Sequence, residues 1–134
     1  MAMRHVLFLA LLVCLATAKK MPPQFLNTWN SVMAPNREHC SKGLDIDTEK
    51  AKNMFPNAQF IDERTYHCYA SCMYVALKML SPEGDPSPKD ILANLPFLTE
   101  AQVQKCISET DGEKDICTKA YTITNCFIAD IAID

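Results

Sequence analysis

The sequence predicts an all-α fold of about six helices, and three observations support that class. Between proline and glycine breaks, apolar residues recur at three- and four-residue spacing, the period of an amphipathic helix. No stretch alternates apolar and polar residues cleanly over six positions, and the Asn-Gly turn typical of a tight β-hairpin is absent. Six cysteines follow residue 18, and an even set of this kind predicts disulfides that staple the helices together.

Length and composition allow one domain and exclude several classes of protein. The chain has 134 residues, of which 49% are hydrophobic, so it can bury a packed core. The net charge of −3 leaves no broad basic surface, and we therefore expect no nucleic-acid partner. No apolar run is long enough to cross a bilayer, so we expect no membrane span.

Residues 1–18, MAMRHVLFLALLVCLATA, have the layout of a secretory signal peptide. A basic start precedes an apolar run of about eleven residues, and residues 16–18 read Ala-Thr-Ala, a small-x-small cleavage site. We expect cleavage after Ala18, which leaves one secreted, extracellular domain over residues 19–134. A buried N-terminal helix is the alternative interpretation.

The first three predicted helices are bounded by prolines and a cap. Apolar spacing predicts a helix over 24–33, and a second over 47–54 that Asp47 caps and Pro56 closes. The longest predicted helix runs over about 62–80. Five residues are expected on its apolar face: Tyr69, Met73, Ala76, Leu77 and Leu80.

The last three predicted helices have clearer starts. Ser87 before Pro88 places a cap residue ahead of a first-turn proline. Thr99 and Gln102 form the pattern of a capping box, which opens the next helix. A final helix is expected over about 113–128, although its β-branched threonines weaken that expectation.

The cysteines that remain once Cys14 leaves with the signal peptide favour disulfides over a metal site. They are Cys40, Cys68, Cys72, Cys106, Cys117 and Cys126. Zinc ligands usually come as two close pairs, and only one close pair exists here. Spacing alone leaves the pairing open. Cys68 and Cys72 lie four residues apart on a predicted helix, a geometry that disfavours a bond between them, so each should pair with a different partner.

The cysteine order also has a family pattern, Cys40-x27-Cys68-x3-Cys72-x33-Cys106-x10-Cys117-x8-Cys126. Residues 67–73, HCYASCM, look like a Cys-Tyr-x-x-Cys helix, and residues 115–127 look like a Cys-x-x-Ala-Tyr ending. In these features the chain resembles the six-cysteine insect odorant-binding proteins, the pheromone and general odorant-binding family. The resemblance covers essentially all of residues 19–134.

The resemblance implies both a disulfide pairing and an architecture. The implied pairs are Cys40–Cys72, Cys68–Cys117 and Cys106–Cys126, and the implied fold encloses a central apolar cavity. In the chain-entropy account each bridge would contribute about 3–4 kcal/mol, which helps a protein that forgoes some core packing.

The resemblance further implies carriage of small hydrophobic molecules, such as odorants or pheromones, through aqueous fluid such as sensillum lymph. Ordinary core packing is the alternative for each single candidate residue. The candidate ligand-binding residues are Leu26, Trp29, Met33, Phe55, Met73, Tyr74, Leu77, Leu80, Val103, Ile107, Tyr121 and Phe127. Tyr74 and Tyr121 could supply hydroxyl groups.

Two regulatory features are open at this stage. The residues after Cys126 are too apolar to lie free in water, and they could fold back as a cavity wall with Phe127, Ile128, Ile131 and Ile133 facing inward. A pH switch could act through the residues His39, His67, Asp130 and Asp134. Whether an olfactory receptor is a partner, and whether the carrier is a monomer or a weak homodimer, is also open.

The alternatives differ in class. A carrier of the same fold could act in saliva, venom, haemolymph or reproductive fluid. A small secreted helical enzyme of the phospholipase type would need a catalytic pair of neighbouring His and Asp residues and a glycine-rich calcium loop. The sequence contains neither feature. We therefore expect no enzyme activity, no catalytic residue, no metal and no cofactor.

Overall fold

The computed structural model describes residues 19–53, 58 and 60–134, and within them the fold is all-α. Its helices are α1 (Pro23–Met33), a 3-10 turn (Ala34–Asn36), α2 (Arg37–Ser41), α3 (Thr48–Asn53), α4 (Arg64–Ala76), α5 (Pro88–Asn94), α6 (Glu100–Ser108) and α7 (Ile116–Ile131). The described residues contain no strand, only two isolated bridges, one of which joins Lys20 to Ile133. The predicted all-α class is confirmed. The five-residue α2, which continues α1 through the 3-10 turn, is the helix that the sequence did not predict.

Local capping signals explain where several helices begin. The Ser87 hydroxyl accepts a hydrogen bond from the Asp90 backbone N–H and caps α5. Thr99 and Gln102 form the full reciprocal capping box at the start of α6. The Asp47 carboxylate accepts from the Lys50 backbone N–H, 3.0 Å away, at the start of α3. These three predicted caps are confirmed.

The end of α4 lies four residues before the predicted one. Lys78 adopts φ +60°, the left-handed region, and the Met79 and Leu80 backbone N–H groups turn back to the Tyr74 carbonyl. Leu77 and Leu80 therefore lie beyond the helix rather than on its apolar face, and Ala76 is exposed. This ending has no glycine, the usual marker of a left-handed cap, so the sequence pattern did not reveal it.

The final helix is shifted along the chain relative to its prediction. Asp115 caps it by accepting from the Thr118 backbone N–H at 2.8 Å, so it begins at Ile116 rather than at 113. It continues through the apolar tail to Ile131 instead of ending at 128. Phe127, Ile128 and Ile131 face inward but are buried in the packed core rather than in a cavity wall, and Ile133 is 54% exposed, which corrects the expectation that the tail lines the cavity with all four side chains.

The packed centre of the molecule is the contact between α4 and α7, the most extensive between any two described helices. Phe127, Ile123 and Thr124 of α7 are fully buried there. Three disulfides staple the fold: Cys40–Cys72, Cys68–Cys117 and Cys106–Cys126. The pairing that the resemblance implied is confirmed, and Cys68 and Cys72 go to different helices.

Several expectations fall outside the described residues. They are the signal peptide over 1–18 and the positions Met54, Phe55 and Pro56. Among the helices that the structure describes, none combines the length and the apolarity that crossing a membrane requires.

Candidate functional site: an apolar cavity between α1 and α4

A cavity lies where α1, α2 and α3 meet α4, with one contribution from α7. Its wall is mostly apolar, with polar groups from five residues. The described residues that line it are Trp29, Asn30, Met33, Arg37, Ala51, Phe60, Tyr69, Ala70, Met73, Tyr74 and Thr124. An apolar enclosure with a few fixed polar groups is the usual form of a site for a small organic molecule.

The side chains around the cavity nearly fill it in this structure. The space between its walls is about 380 Å³ when the open mouth is included. The enclosed volume is only about 20 Å³, which is room for about one water molecule. A larger occupant therefore requires its side chains to move apart. Met33 and Met73 are suited to this because an unbranched thioether changes rotamer at low cost.

The deep end of the cavity holds a buried hydroxyl pair. The Tyr74 and Thr124 hydroxyl oxygens are 2.8 Å apart, and Tyr74 is only 1% exposed. Thr124 donates its single proton to the Ala120 carbonyl at 2.7 Å, so Tyr74 must donate to Thr124. Burial raises the pKa of Tyr74 far above its usual range, against the smaller opposing effect of Thr124, which keeps the phenol protonated. Toward the cavity, Tyr74 can therefore only accept a hydrogen bond.

The other polar group of the cavity lies at its more exposed end. The Arg37 Nη2 donates to the Asn30 Oδ1 at 2.7 Å and more weakly to the Asn30 carbonyl oxygen at 3.4 Å. Both residues are half-buried, whereas Trp29 and Met73 are buried. Burial raises the pKa of Tyr69, and the neighbouring Arg37 guanidinium works against that rise. The more exposed end of the cavity therefore presents hydrogen-bond donors to a ligand.

The structure brings together four of the twelve predicted ligand-binding residues. Trp29, Met33, Met73 and Tyr74 all line the cavity. Leu80, Val103 and Phe127 are instead fully buried in the packed core. The half-buried residues Leu26, Leu77, Ile107 and Tyr121 lie outside the cavity lining, and Phe55 lies outside the described residues.

Sequence reasoning identified Tyr74 but missed the other polar lining residues, Asn30, Arg37, Tyr69 and Thr124, and the apolar residues Ala51, Phe60 and Ala70. Apolar periodicity selects apolar side chains, so it does not identify the polar side chains that complete an apolar wall. Tyr69 had a usable signal, because it shares the predicted apolar face with Met73. Arg37 had no such signal in the sequence, since its position in the cavity wall depends on how α2 packs against α1.

A second cluster outside the cavity lining involves His67. Its ring stacks on Tyr121 with centroids 3.8 Å apart, and its Nε2 lies 3.0 Å from the Asp62 Oδ1. A phospholipase-type enzyme would need a His-Asp pair, which no two neighbouring residues of the sequence supply, but the fold does bring His67 and Asp62 together. Asp62 is 76% exposed, and the ring is held in an aromatic stack, so the pair fits a packing contact rather than a reactive centre.

One group among the described residues has potential metal ligands close together: Cys106, Cys126 and Asp130. The two sulfur atoms are bonded to each other, and Asp130 is bound by Lys105 Nζ at 2.6 Å. A disulfide sulfur lacks the thiolate that binds metal ions, so this group is a staple beside an ion pair. It borders an open polar groove between α6 and α7, which Tyr121 also lines.

Comparison with known proteins adds one match. A sequence profile of the PBP/GOBP family matches residues 24–130, which is most of the chain and includes every helix named above except the ends of the first and last. Proteins of that family are binding proteins rather than enzymes. No curated protein sequence matches the chain.

Proposed function

Because this chain belongs to the PBP/GOBP family, we propose that it is a carrier that binds small hydrophobic molecules in the cavity between α1 and α4. The observation that carries the proposal is the apolar cavity itself, with Trp29, Met33 and Met73 in its wall. A ligand transferred from water to such a wall gains about 25 cal/mol per Å² of apolar surface, before the cost of association.

The two polar ends of the cavity would orient the ligand. Tyr74 offers an acceptor deep inside, and Arg37 with Tyr69 offers donors nearer the solvent. An elongated molecule with an apolar middle fits this order of groups. Entry of the ligand would push Met33 and Met73 aside, so the cavity would expand on binding rather than be open beforehand.

We place the carrier outside the cell. Members of the family are secreted, and three disulfides suit an oxidising compartment. The signal-peptide layout of residues 1–18 supports the same location, with residues 19–134 as the single mature domain. The specific role would be transport of odorants or pheromones through a fluid such as sensillum lymph. The same carrier could act in saliva, venom, haemolymph or reproductive fluid, and tissue expression distinguishes these settings.

Binding to purified, oxidised protein over residues 19–134 tests the proposal. An environment-sensitive apolar naphthylamine dye should bind saturably, be displaced by medium-chain alcohols, and be lost when the disulfides are reduced. A folded protein with three intact disulfides that binds no apolar molecule would overturn the carrier function.

A matched pair of variants on α4 locates the binding site. Ala70 lines the cavity, whereas Ala76 is exposed on the same helix. Ala70→Leu should fill the cavity and weaken dye binding severalfold, while Ala76→Leu should leave it unchanged. Equal binding by both variants would place the dye elsewhere.

A further inference from the structure

The more exposed end of the cavity carries a cation that no described carboxylate neutralises. Arg37 lines the cavity from α2, between Asn30 of α1 and Tyr69 of α4. Three other cations are paired with acids, Lys50 with Glu63, Arg64 with Asp115 and Lys105 with Asp130, whereas lysines without an acid partner, such as Lys89, lie outside the cavity lining. In the part of the chain that the structure describes, no acid lies within ion-pair distance of Arg37.

The Arg37 guanidinium is held in place but not saturated. Its Nη2 donates to Asn30, at 2.7 Å to the side-chain oxygen and 3.4 Å to the carbonyl oxygen. A guanidinium carries five N–H donors in a planar fork, so donors remain for another acceptor. The contact with Asn30 fixes the direction of the fork, and a group fixed in advance loses less entropy when it binds.

The Tyr69 hydroxyl adds a second donor at the same place. Burial raises the pKa of this phenol. The Arg37 guanidinium lies close enough to oppose that rise through its charge and a hydrogen bond. Because burial still raises the pKa of Tyr69 on balance, the hydroxyl keeps its proton at neutral pH and can donate it. A planar cationic fork and a phenolic O–H on adjoining cavity walls suit a planar anion with two oxygens.

We propose that the preferred ligands are medium-chain carboxylate anions, with the carboxylate on Arg37 and Tyr69 and the hydrocarbon chain among Trp29, Met33 and Met73. This inference rests on the proposed carrier function and narrows its ligand class. One cation balances one carboxylate, and Arg binds that group with two parallel N–H···O bonds. Hydrogen bonds between ions are roughly twice as strong as neutral ones, so an alcohol or ester of the same chain gains less.

Four ligands built on the same ten-carbon backbone test the head group: decanoate, decanol, methyl decanoate and decylamine. Isothermal titration at neutral pH, below the micelle concentration of each, gives their affinities for oxidised protein over residues 19–134. Decanoate should bind about tenfold more tightly than decanol, the equivalent of about 1.4 kcal/mol. Decylamine should bind most weakly, because its cation meets Arg37.

Substitutions of Arg37 identify the group responsible. Arg37→Gln should weaken decanoate about tenfold and leave decanol unchanged, while Arg37→Lys should keep part of the preference. Lys89→Gln is the matched control, because it removes an exposed cation of α5 that lies outside the cavity lining. An unchanged affinity for decanol also shows that each variant keeps a folded cavity.

Tyr69→Phe keeps the test decisive if Arg37→Gln does not fold. It removes one hydroxyl and should weaken decanoate severalfold relative to decanol. Equal affinities of the wild type for decanoate and decanol, or equal losses in Arg37→Gln and Lys89→Gln, would overturn the carboxylate preference and leave the carrier function standing. Failure of the folded wild type to bind any of the four ligands would overturn both.

Discussion

The two sides of the cavity are built differently. On one side, α7 packs on α4 and α6 and buries eight residues, among them Phe127 and Ile128. On the other side, α1 buries only Trp29 and Met33, and α3 buries only Ala51. The packed side has the larger hydrophobic stabilisation, and the side of α1 to α3 therefore has less to lose when the cavity opens.

Covalent and ionic links hold both sides to α4. Cys68–Cys117 and the Arg64–Asp115 ion pair tie α4 to the start of α7. Cys40–Cys72 ties α2 to α4, and the Lys50–Glu63 ion pair ties α3 to the residue before α4. The two sides therefore differ in the apolar surface that they bury, and the side of α1 to α3 is the one that can move more easily.

The largest expected effect on stability is the difference between two alanine substitutions on opposite sides of the cavity. Phe127→Ala removes a fully buried ring from the packed side and should lower the free energy of unfolding by about 3–5 kcal/mol. Met33→Ala should cost nearer ~2 kcal/mol, since Met33 borders the cavity and loses fewer contacts than a residue packed on all sides. Urea denaturation under oxidising conditions measures both. Equal losses would mean that the two sides are equally packed.

The hydroxyl pair at the boundary between the two sides should respond asymmetrically. Thr124→Val leaves the Tyr74 hydroxyl buried without its acceptor and should cost about 1–3 kcal/mol. Tyr74→Phe removes the donor and leaves Thr124 bonded to Ala120, so about 1 kcal/mol is expected. Urea denaturation of the two variants measures both losses in the free energy of unfolding. A larger loss for Tyr74→Phe would contradict the assignment of Tyr74 as the donor.

The end of α4 offers a stabilising change on the packed side. Lys78 holds φ +60° and is exposed, so Lys78→Gly should relieve the strain of its Cβ and raise the free energy of unfolding by about 1 kcal/mol. The melting temperature should rise accordingly. Lys89→Gly, in the first turn of the regular helix α5, should instead lower it, and the absence of any difference between the two would contradict the left-handed cap.

The smallest effect concerns the ion pair that ties α4 to α7. The Arg64 side chain, and then the Thr118 backbone N–H, hold the pKa of Asp115 well below its usual value of about 3.9. Its contribution to stability is therefore complete above that value and is lost as the pH falls through the lowered pKa of the folded state. Asp115→Asn should lower the melting temperature slightly at neutral pH and reduce its acid dependence. An unaltered acid dependence would contradict this role of Asp115.

Helix starts could be predicted from the sequence because their signals are local. The Ser87 and Thr99 caps need only neighbours three residues away, and both lie where expected. The cysteine spacing likewise led to the correct disulfides through the family resemblance. The end of α4 could not be predicted, because Lys78 takes a conformation that its side chain disfavours.

The lining of the cavity could be predicted only in part. Apolar periodicity identified the buried faces of helices, but not whether a face meets packed side chains or empty space. Val103 and Phe127 are buried like Met73, yet only Met73 borders the cavity. Arg37 and Thr124 reach the cavity through the packing of whole helices, and local sequence does not report such packing.

Trp29 provides the most direct measurement, because it is the single tryptophan of the chain and lines the cavity. Its fluorescence can be followed while oxidised protein is titrated with decanol and, in parallel, the heat of binding is recorded. We predict that the emission of Trp29 and the heat saturate together at one ligand per chain. Heat without a change in Trp29 emission, or no saturable signal from folded protein, would contradict binding in this cavity.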